Sequence, residues 1–317
     1  MAVLGEVAFS AGGLMPELSF GSHFFQDLVE ADIRYLPLYP DDPSVVFNEA
    51  FLRDSPNRLP ELVPEHAALA VKEMLFLPKE TLEARFGVDG NQGVVIEIAG
   101  RITHGMVGTG FLYTNKDSIA IGIGCMLSDL RKNKITPAQL LEGLKRHPSV
   151  KPLIAGAEMK EYSAHLIPEG GYKALPQLYG DGWMIVGDSA GFVNAVHREG
   201  SNLAMTSGRI AAETLIDLKA SGKRWIAANL AAYKARLDES FVMKDLKKYA
   251  DVPDFLHGSP HILNTYPTQL NRAAREMLTV DGVDKRAKQA RIFADLREKR
   301  SLLGLLGDAY RFWRAFK

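Results

Sequence analysis

Cysteine is almost absent from this sequence, with Cys125 as its only representative among 317 residues. A single thiol excludes an internal disulfide framework. It also excludes an iron–sulfur cluster or a structural zinc site built from several cysteines of this chain. Because Cys125 ends an apolar stretch that predicts a strand, we expect it to be a small buried side chain.

An excess of charge, a long apolar run and an export signal are missing as well. Lys and Arg number 38, as do Asp and Glu, so we expect no nucleic-acid partner. The longest apolar runs, such as 119–126, are too short and too rich in glycine to span a bilayer. The first residues lack the basic start and the continuous apolar segment of a signal peptide. We therefore expect a cytoplasmic protein, or one peripheral to the inner face of the membrane.

The sequence G-x-G-x-x-G, which opens many dinucleotide-binding domains, is not found either. Gly5 and the cluster at 11–13 do not have this spacing. Proline and glycine are scattered through residues 1–60, which give only short helical or strand hints, and we expect no strand–helix–strand unit around these glycines.

Regular secondary structure is predicted from about residue 66 onward. Apolar and β-branched residues indicate strands before residue 100, followed by a hairpin with its turn at 115–117. Thr136 and Pro137 predict the start of a helix, and most of 226–317 has helical character. This mixture, with a largely antiparallel middle, predicts an α+β fold.

The segment GWMIVGDSAG (182–191) has the most informative pattern. Its apolar part predicts a buried strand, and Asp188 follows Gly187 at the carboxyl end, where ligands bind in open sheets. The small residues after Asp188 allow a ligand to approach the backbone. The helix predicted from Ser201 then supplies free N–H groups and a partial positive charge.

This arrangement fits a flavin. The Asp188 carboxylate would accept hydrogen bonds from the ribityl chain, and the helix start would face the N1–C2=O edge, where negative charge accumulates on reduction. The alternative is structural, because Gly-Asp pairs are common turn formers. Asp188 would then cap a turn, and the helix would only pack against the sheet.

Four stretches resemble the superfamily of electron-transfer-flavoprotein:quinone oxidoreductase and geranylgeranyl reductase, in particular its FixC-type branch. They are HGMVGTGFLYTNKDSIAIGI (104–123), YSAHLIPEGGYKALPQLYGDGWMIVGDSAGFVNAVHREGSNLAMTSGRIAAE (162–213), LAAYKARLDESFVMKDLKKY (230–249) and MLTVDGVDK (277–285). The resemblance implies a partial glutathione-reductase-like FAD domain, an antiparallel substrate-domain sheet and a helical C-terminal region.

Individual residues take on expected roles from this resemblance. Asp188 corresponds to the ribityl-binding acid of the family. Residues 111–114 match the sheet that covers the flavin ring, and residues 169–171 match the loop that returns from the substrate domain. No catalytic side chain is assigned. The implied cofactor-binding residues are Gly187, Asp188, Gly191, Gly200, Ser201, Asn202 and Leu203.

The implied function is FAD-dependent electron transfer associated with nitrogen fixation. An electron-transfer flavoprotein would reduce the FAD, which would pass electrons to a ferredoxin or a quinone. Since the chain has one cysteine, a ferredoxin-like iron–sulfur protein would be a separate partner. Two alternatives stay open, namely a geranylgeranyl (prenyl-lipid) reductase and a truncated, non-catalytic homologue that acts only by binding a partner.

The resemblance also divides the chain into four segments. Residues 1–60 form an atypical N-terminal segment without the family's ADP-binding unit, and 61–167 form the substrate-domain sheet with helices. Residues 168–225 contain the second FAD-binding motif, and 226–317 form the helical C-terminal region. Residues 45–50 match a family strand only faintly. Because half of the expected FAD contacts are missing, the sequence leaves open whether this chain is an active enzyme.

Histidine and arginine side chains offer further candidates. His197 and Arg198 lie in the loop before the helix, where they would either steer protons and charge at the flavin or form an ordinary salt link to Glu199 or another carboxylate. His104 and His165 lack partners at metal-ligand spacing, so we expect structural roles and no metal site.

The C-terminal tail is basic and amphipathic. Residues 284–317 contain 10 Lys and Arg against 4 Asp and Glu. Such an end fits an anionic membrane surface near a quinone pool, an acidic ferredoxin, or a helix packed on its own domain. The apolar residues on one predicted helical face are Leu302, Leu306, Ala309, Trp313 and Phe316.

Overall fold

A computed structural model describes residues 63–317 and, nearer to the N-terminus, the backbone of two strands at Ala2–Glu6 and Arg34–Leu36. This part of the chain contains nine strands and eleven α-helices. The strands are β1 (Ala2–Glu6), β2 (Arg34–Leu36), β3 (Ala67–Phe76), β4 (Val95–Ile98), β5 (Gly108–Thr114), β6 (Ser118–Met126), β7 (Glu158–Pro168), β8 (Tyr179–Gly180) and β9 (Trp183–Gly187). The helices are α1 (Lys79–Phe86), α2 (Leu127–Asn133), α3 (Pro137–Arg146), α4 (Lys151–Ile154), α5 (Ser201–Ala220), α6 (Ala227–Glu239), α7 (Phe241–Lys248), α8 (Val252–His257), α9 (Thr265–Leu278), α10 (Lys285–Lys299) and α11 (Leu302–Phe316).

The chain forms two compact units, each with its own hydrophobic core. Met1–His66 and Pro168–Val252 make up the first unit, and Ala67–Ile167 and Pro253–Lys317 make up the second. The fold is α+β, as the sequence predicts, with an antiparallel sheet and a helical C-terminal region. The four-segment division rests on the resemblance alone and stays a prediction.

The first unit has a four-stranded sheet in the order β2-β1-β9-β8. Strand β1 runs parallel to both β2 and β9, and β8 is antiparallel to β9. The apolar pattern of β1 covers only three residues, Ala-Val-Leu, which is too short to predict a strand from sequence. The cluster at 11–13 and the segment 45–50 lie outside the described residues.

Helix α5 packs its small and apolar side against β9. All five residues of β9 are buried, and small helix residues allow the two backbones to approach closely. Helix α6 contacts the same strand through Tyr233, whose hydroxyl donates to the carbonyl oxygen of Ile185 at 2.8 Å. Burial raises the pKa of Tyr233. The buried residues of α5 are Leu203, Ala204, Ser207, Ile210, Ala211, Thr214, Leu215 and Leu218.

The second unit contains a five-stranded sheet in the order β4-β5-β6-β3-β7. The pairs β4–β5, β5–β6 and β6–β3 are antiparallel, and the predicted hairpin is confirmed as β5 and β6. Gly122 has to be glycine, because a Cβ there would lie 2.2 Å from the Phe111 ring. Helix α3 begins as predicted, with Thr136 in a capping box and Pro137 in the first turn.

A buried carboxylate joins the helices of the C-terminal region. Asp308 is 3% exposed, and its two oxygens accept hydrogen bonds from the Arg300 guanidinium at 2.8 Å each. Arg311 and the Tyr266 hydroxyl donate to the same carboxylate at 2.5 and 2.6 Å. These donors, Arg300 above all, hold the pKa of Asp308 far below its ordinary range. In the described part of the chain, no helix has both the length and the apolar character needed to cross a membrane.

Replacing Asp308 by Asn should destabilise the protein by about 3 kcal/mol at neutral pH, because the cations around it would lose their buried counter-charge. A carboxyl with a depressed pKa stabilises the folded state above the unfolded-state pKa of about 4, and this stabilisation is lost as the pH falls. The free energies of unfolding in urea of wild type and variant should therefore converge in acid. The exposed control, Glu298→Gln, should change stability by less than about 0.5 kcal/mol. An Asp308→Asn protein as stable as wild type at neutral pH would contradict this account.

Candidate functional site

A single buried hydroxyl holds the carboxyl end of β9 against α5. The N–H of Gly187 donates to Oγ of Ser207 at 3.0 Å, and the same hydroxyl donates to the carbonyl oxygen of Ala204 at 3.0 Å. Ser207 is fully buried. Gly187 has φ 61° and ψ −146°, a backbone conformation that favours glycine. The point at which the chain leaves β9 is therefore fixed by the hydrogen bond to α5 and by the backbone conformation of Gly187.

Asp188 begins a short 3-10 turn immediately after β9. The turn closes with a hydrogen bond from the N–H of Gly191 to the Asp188 carbonyl oxygen at 2.8 Å. A Cβ placed on Gly200 would lie 3.8 Å from Oδ1 of Asp188. The carboxylate thus lies next to the residue that precedes α5, and a side chain at Gly200 would occupy the space beside it.

The first turn of α5 offers backbone donors next to this carboxylate. No side chain caps the helix at Gly200, and helix geometry leaves the first N–H groups without intrahelical acceptors. The side chain of Asn202 accepts from the N–H of Leu203 at 3.0 Å. Because the Leu203 side chain is fully buried in the core, this residue positions the helix, whereas Ser201 and Asn202 are half-buried at its start.

The loop before α5 closes back on itself. Asn194 and Glu199 exchange two backbone hydrogen bonds, at 2.8 and 3.2 Å. The side-chain oxygen of Asn194 accepts from the N–H groups of Val196 and His197 at 3.2 and 3.3 Å. Asn194 is 2% exposed. Its amide therefore fixes the shape of the loop that leads into the helix.

His197 and Arg198 each have a partner within the first unit. Nε2 of His197 lies 2.7 Å from the Tyr249 hydroxyl. Arg198 adopts φ 58°, and its guanidinium lies 3.8 Å from a carboxylate oxygen of Glu169. From the sequence, we expect His197 and Arg198 either to steer protons and charge at the flavin or to form a salt link to Glu199 or another carboxylate. The ion pair that the structure forms is with Glu169.

Glu169 lies in the loop that follows β7, at a position where its carboxyl is shielded from water. Its N–H donates to the carbonyl oxygen of His66 at 2.8 Å, and its side chain is 16% exposed. Burial raises the pKa of Glu169, and Arg198 offsets this in part. Gly170 cannot carry a side chain, since its Cβ would lie 2.4 Å from that of Ala174. The loop therefore presents a carboxyl that holds a proton to higher pH than an ordinary glutamate.

The residues predicted from the sequence lie in one strand–loop–helix arrangement. Asp188 supplies a carboxylate acceptor, the start of α5 supplies backbone N–H donors, and Gly191 and Gly200 carry no side chain beside them. Residues 111–114 lie on β5 of the second unit, where the rings of Phe111 and Tyr113 stack with centroids 5.8 Å apart.

Ser207 and Asn194, whose side chains fix the end of β9 and the loop before α5, are not among the site residues predicted from the sequence. A serine among the small residues of a buried helix face predicts a hydrogen bond to the neighbouring strand, because a buried hydroxyl requires a partner.

His104 ends a 3-10 turn and His165 is exposed on β7. Within the described ranges, no group of three or more His, Cys, Asp or Glu could hold a metal ion.

Sequence comparison relates this chain to the FixC proteins. A model of the ETF-QO/FixC family C-terminal domain matches residues 252–317. Protein FixC of Azotobacter vinelandii is 59% identical over 252 residues, which are 80% of this chain and 58% of that protein. Protein FixC of Azorhizobium caulinodans is 56% identical over 270 residues, covering 85% of this chain and 61% of the relative. The chain therefore spans about three-fifths of the length of the curated relatives it matches.

A more distant relative and a solved structure extend this picture. The probable electron transfer flavoprotein-quinone oxidoreductase YdiS of Escherichia coli is 38% identical over 80% of this chain and 59% of its own length. The geranylgeranyl bacteriochlorophyll reductase-like protein Ta0516 of Thermoplasma acidophilum superposes with a TM-score of 0.54 and 15% identity. That superposition covers 84% of this chain and 62% of the other. At this identity the likeness concerns the fold alone.

Replacing Glu169 by Gln should change how stability depends on pH. Because the folded-state pKa of Glu169 is raised, the contribution of this carboxyl is fully present below its unfolded-state pKa and is lost as the pH rises through the folded-state pKa. Relative to wild type, the Gln variant should therefore gain stability as the pH rises above the ordinary glutamate pKa of about 4, measured by chemical unfolding. Glu239→Gln, at a carboxylate that is 86% exposed in the same unit, is the control. A Gln variant that loses stability as the pH rises would show that the ion pair with Arg198 outweighs burial.

Proposed function

The chain belongs to the ETF-QO/FixC family, and we propose that it is an FAD-dependent oxidoreductase. In this role it takes electrons from an electron-transfer flavoprotein and passes them to a ferredoxin-like iron–sulfur protein or to a quinone, in support of nitrogen fixation. The observation that carries the proposal is the Asp188 carboxylate beside Gly200 and the first turn of α5.

Each residue of the site has a defined task in this proposal. Asp188 accepts hydrogen bonds from the ribityl hydroxyls, and the N–H groups of Ser201 and Asn202 stabilise negative charge at the N1–C2=O edge of the ring. Gly187 and Gly191 shape the loop, and Ser207 keeps the strand end in register with the helix. When bound, FAD supplies two-electron uptake and one-electron release, which is the chemistry an electron-transfer protein requires.

The electron acceptor is a separate molecule in this proposal. Cys125 is the only cysteine of the chain and is fully buried, so it cannot ligate a cluster exposed to a partner. An iron–sulfur protein that meets this chain must therefore carry its own cluster. The name of the Escherichia coli relative, an electron transfer flavoprotein-quinone oxidoreductase, supports an electron-transfer flavoprotein as donor and a quinone as the second acceptor.

A prenyl-lipid reductase is the second candidate function. The superfamily that the Gly-Asp loop resembles includes geranylgeranyl reductases, and this shared loop supports the candidate. The electron-transfer role is preferred because the relatives above 50% identity are FixC proteins. Two assays separate these functions. A prenyl-lipid reductase would turn over a geranylgeranyl lipid, whereas the electron-transfer protein would be reduced by an electron-transfer flavoprotein.

A non-catalytic role by partner binding is the third possibility, and a chain that binds no flavin would favour it.

A cytoplasmic location peripheral to the inner face of the membrane is part of this proposal, and helix α11 supports the membrane contact. Leu303, Leu306 and Trp313 are 82%, 68% and 58% exposed on this helix. The ammonium of Lys317 lies 5.3 Å from the centre of the Trp313 ring, and Arg314 is exposed beside it. A helix with exposed leucines, an interfacial tryptophan and flanking cations suits an anionic bilayer surface. The quinone pool lies in such a bilayer.

Replacing Asp188 by Asn should weaken FAD binding by about 10- to 100-fold, because a charge-assisted hydrogen bond to the ribityl chain would be lost. Quenching of flavin fluorescence on titration measures the dissociation constant. Asp181→Asn is the matched control: Asp181 precedes the other end of β9 and accepts from the N–H of Ala227 at 2.7 Å. The control should bind FAD like wild type. Equal affinity in all three proteins would remove Asp188 from the site.

Exchanging both Leu303 and Leu306 for Ser should reduce membrane binding by about fivefold or more, because apolar area would no longer enter the bilayer. Co-sedimentation with vesicles of phosphatidylglycerol and phosphatidylcholine measures the bound fraction, which should also fall at high salt. Leu270→Ser on α9, at a side chain that is 72% exposed, is the control. Unchanged sedimentation of the double variant would exclude α11 as the contact.

A further inference from the structure

The side-chain nitrogen of Asn194 is buried without a hydrogen-bond acceptor. The residue is 2% exposed, and Nδ2 has no partner among the described residues. Leaving a buried donor unsatisfied costs about 1–3 kcal/mol, and such groups are rare in folded proteins. The donor therefore requires an explanation that the packing of the loop does not provide.

The orientation of the amide is fixed by its oxygen. Oδ1 accepts from the N–H groups of Val196 and His197 at 3.2 and 3.3 Å. Turning the amide around would place NH₂ against two N–H donors, which excludes the alternative assignment. The nitrogen is thus the end of the side chain that does not bond to the loop backbone.

Asn194 lies close to the start of α5. Its backbone pairs with Glu199, at 2.8 and 3.2 Å, and Glu199 directly precedes Gly200. A Cβ on Gly200 would lie 3.8 Å from Oδ1 of Asp188 and 3.9 Å from Cγ2 of Val193. Val193, which precedes Asn194, and the Asp188 carboxylate therefore both lie next to Gly200.

We propose that Nδ2 of Asn194 donates a hydrogen bond to an oxygen of the bound flavin, so that Asn194 is a second cofactor-binding side chain beside Asp188. The inference rests on the proposed flavin site. A ribityl hydroxyl both donates and accepts, and a ring carbonyl accepts only. Asp188 supplies the acceptor that such hydroxyls need, and Asn194 supplies a neutral donor. The two side chains together match the hydrogen-bonding capacity of a sugar-alcohol chain.

The substitution Asn194→Asp separates the two halves of the amide. The variant keeps an oxygen for the N–H groups of Val196 and His197 and removes the NH₂ donor. Its dissociation constant for FAD should rise about tenfold or more, and its unfolding curve without flavin shows that the variant is folded. Asn194→Ala removes both halves and should lower the unfolding midpoint as well as the affinity.

Two controls make the outcome specific. Riboflavin has no phosphate, so an equal loss of riboflavin affinity in Asn194→Asp would show that repulsion between Asp and the phosphates is not the cause. Asn115→Asp, in the β5–β6 turn of the other unit, where Nδ2 bonds to Oγ of Ser118 at 3.2 Å, should bind FAD like wild type.

The result that overturns the inference is an Asn194→Asp protein with wild-type affinity for FAD and riboflavin. In that case Asn194 would act only in shaping the loop, and the proposed function would stand if wild type binds FAD. A wild-type protein that binds neither ligand would overturn the proposed function and this inference together. Both results are read from binding and unfolding curves, without reference to electron-transfer activity.

Discussion

The hydrogen bond from the N–H of Gly187 to the buried hydroxyl of Ser207, 3.0 Å long, fixes the end of β9 relative to α5. Strand and helix are otherwise joined by apolar contacts, which are not directional. A hydrogen bond between buried groups sets the register, because breaking it would leave a donor and an acceptor without water. The position of Asp188, the next residue along the chain, depends on this bond. The acid is thereby held beside the N-terminal end of a twenty-residue helix.

The surroundings of the site are rigid for the same kind of reason. Glycines occupy the points where the backbone turns or approaches a neighbour most closely, as at Gly187 and Gly170. Tyr233 satisfies the Ile185 carbonyl in the core, and Asn194 closes the loop before α5. Cofactor sites need side chains held within a fraction of an ångström. A strand end, a glycine turn and a helix start supply this precision through backbone geometry.

The strand, the turn and the helix of the candidate site could be predicted from sequence because their signals are local. A buried apolar run, a Gly-Asp pair and a helix start follow each other within twenty residues, and they agree with the structure. The hairpin and the cap at Thr136 were predictable for the same reason. The strand β1 was not, because it depends on pairing with β9, which is far away in the chain. Long-range partners such as that of Glu169 with Arg198 also leave no trace in local patterns.

The residues of the candidate site and the relatives of the chain both support the proposal of a flavin-binding protein. In the proposed site the carboxylate, the helix start and the glycines would provide hydrogen-bond acceptors, donors and space for a flavin, and the relatives are FixC proteins. Equilibrium dialysis of the purified chain against FAD tests this most directly, because it counts bound flavin independently of partners. The account predicts saturable binding of one FAD per chain. A chain that stays folded and retains no FAD at saturating concentrations would contradict it.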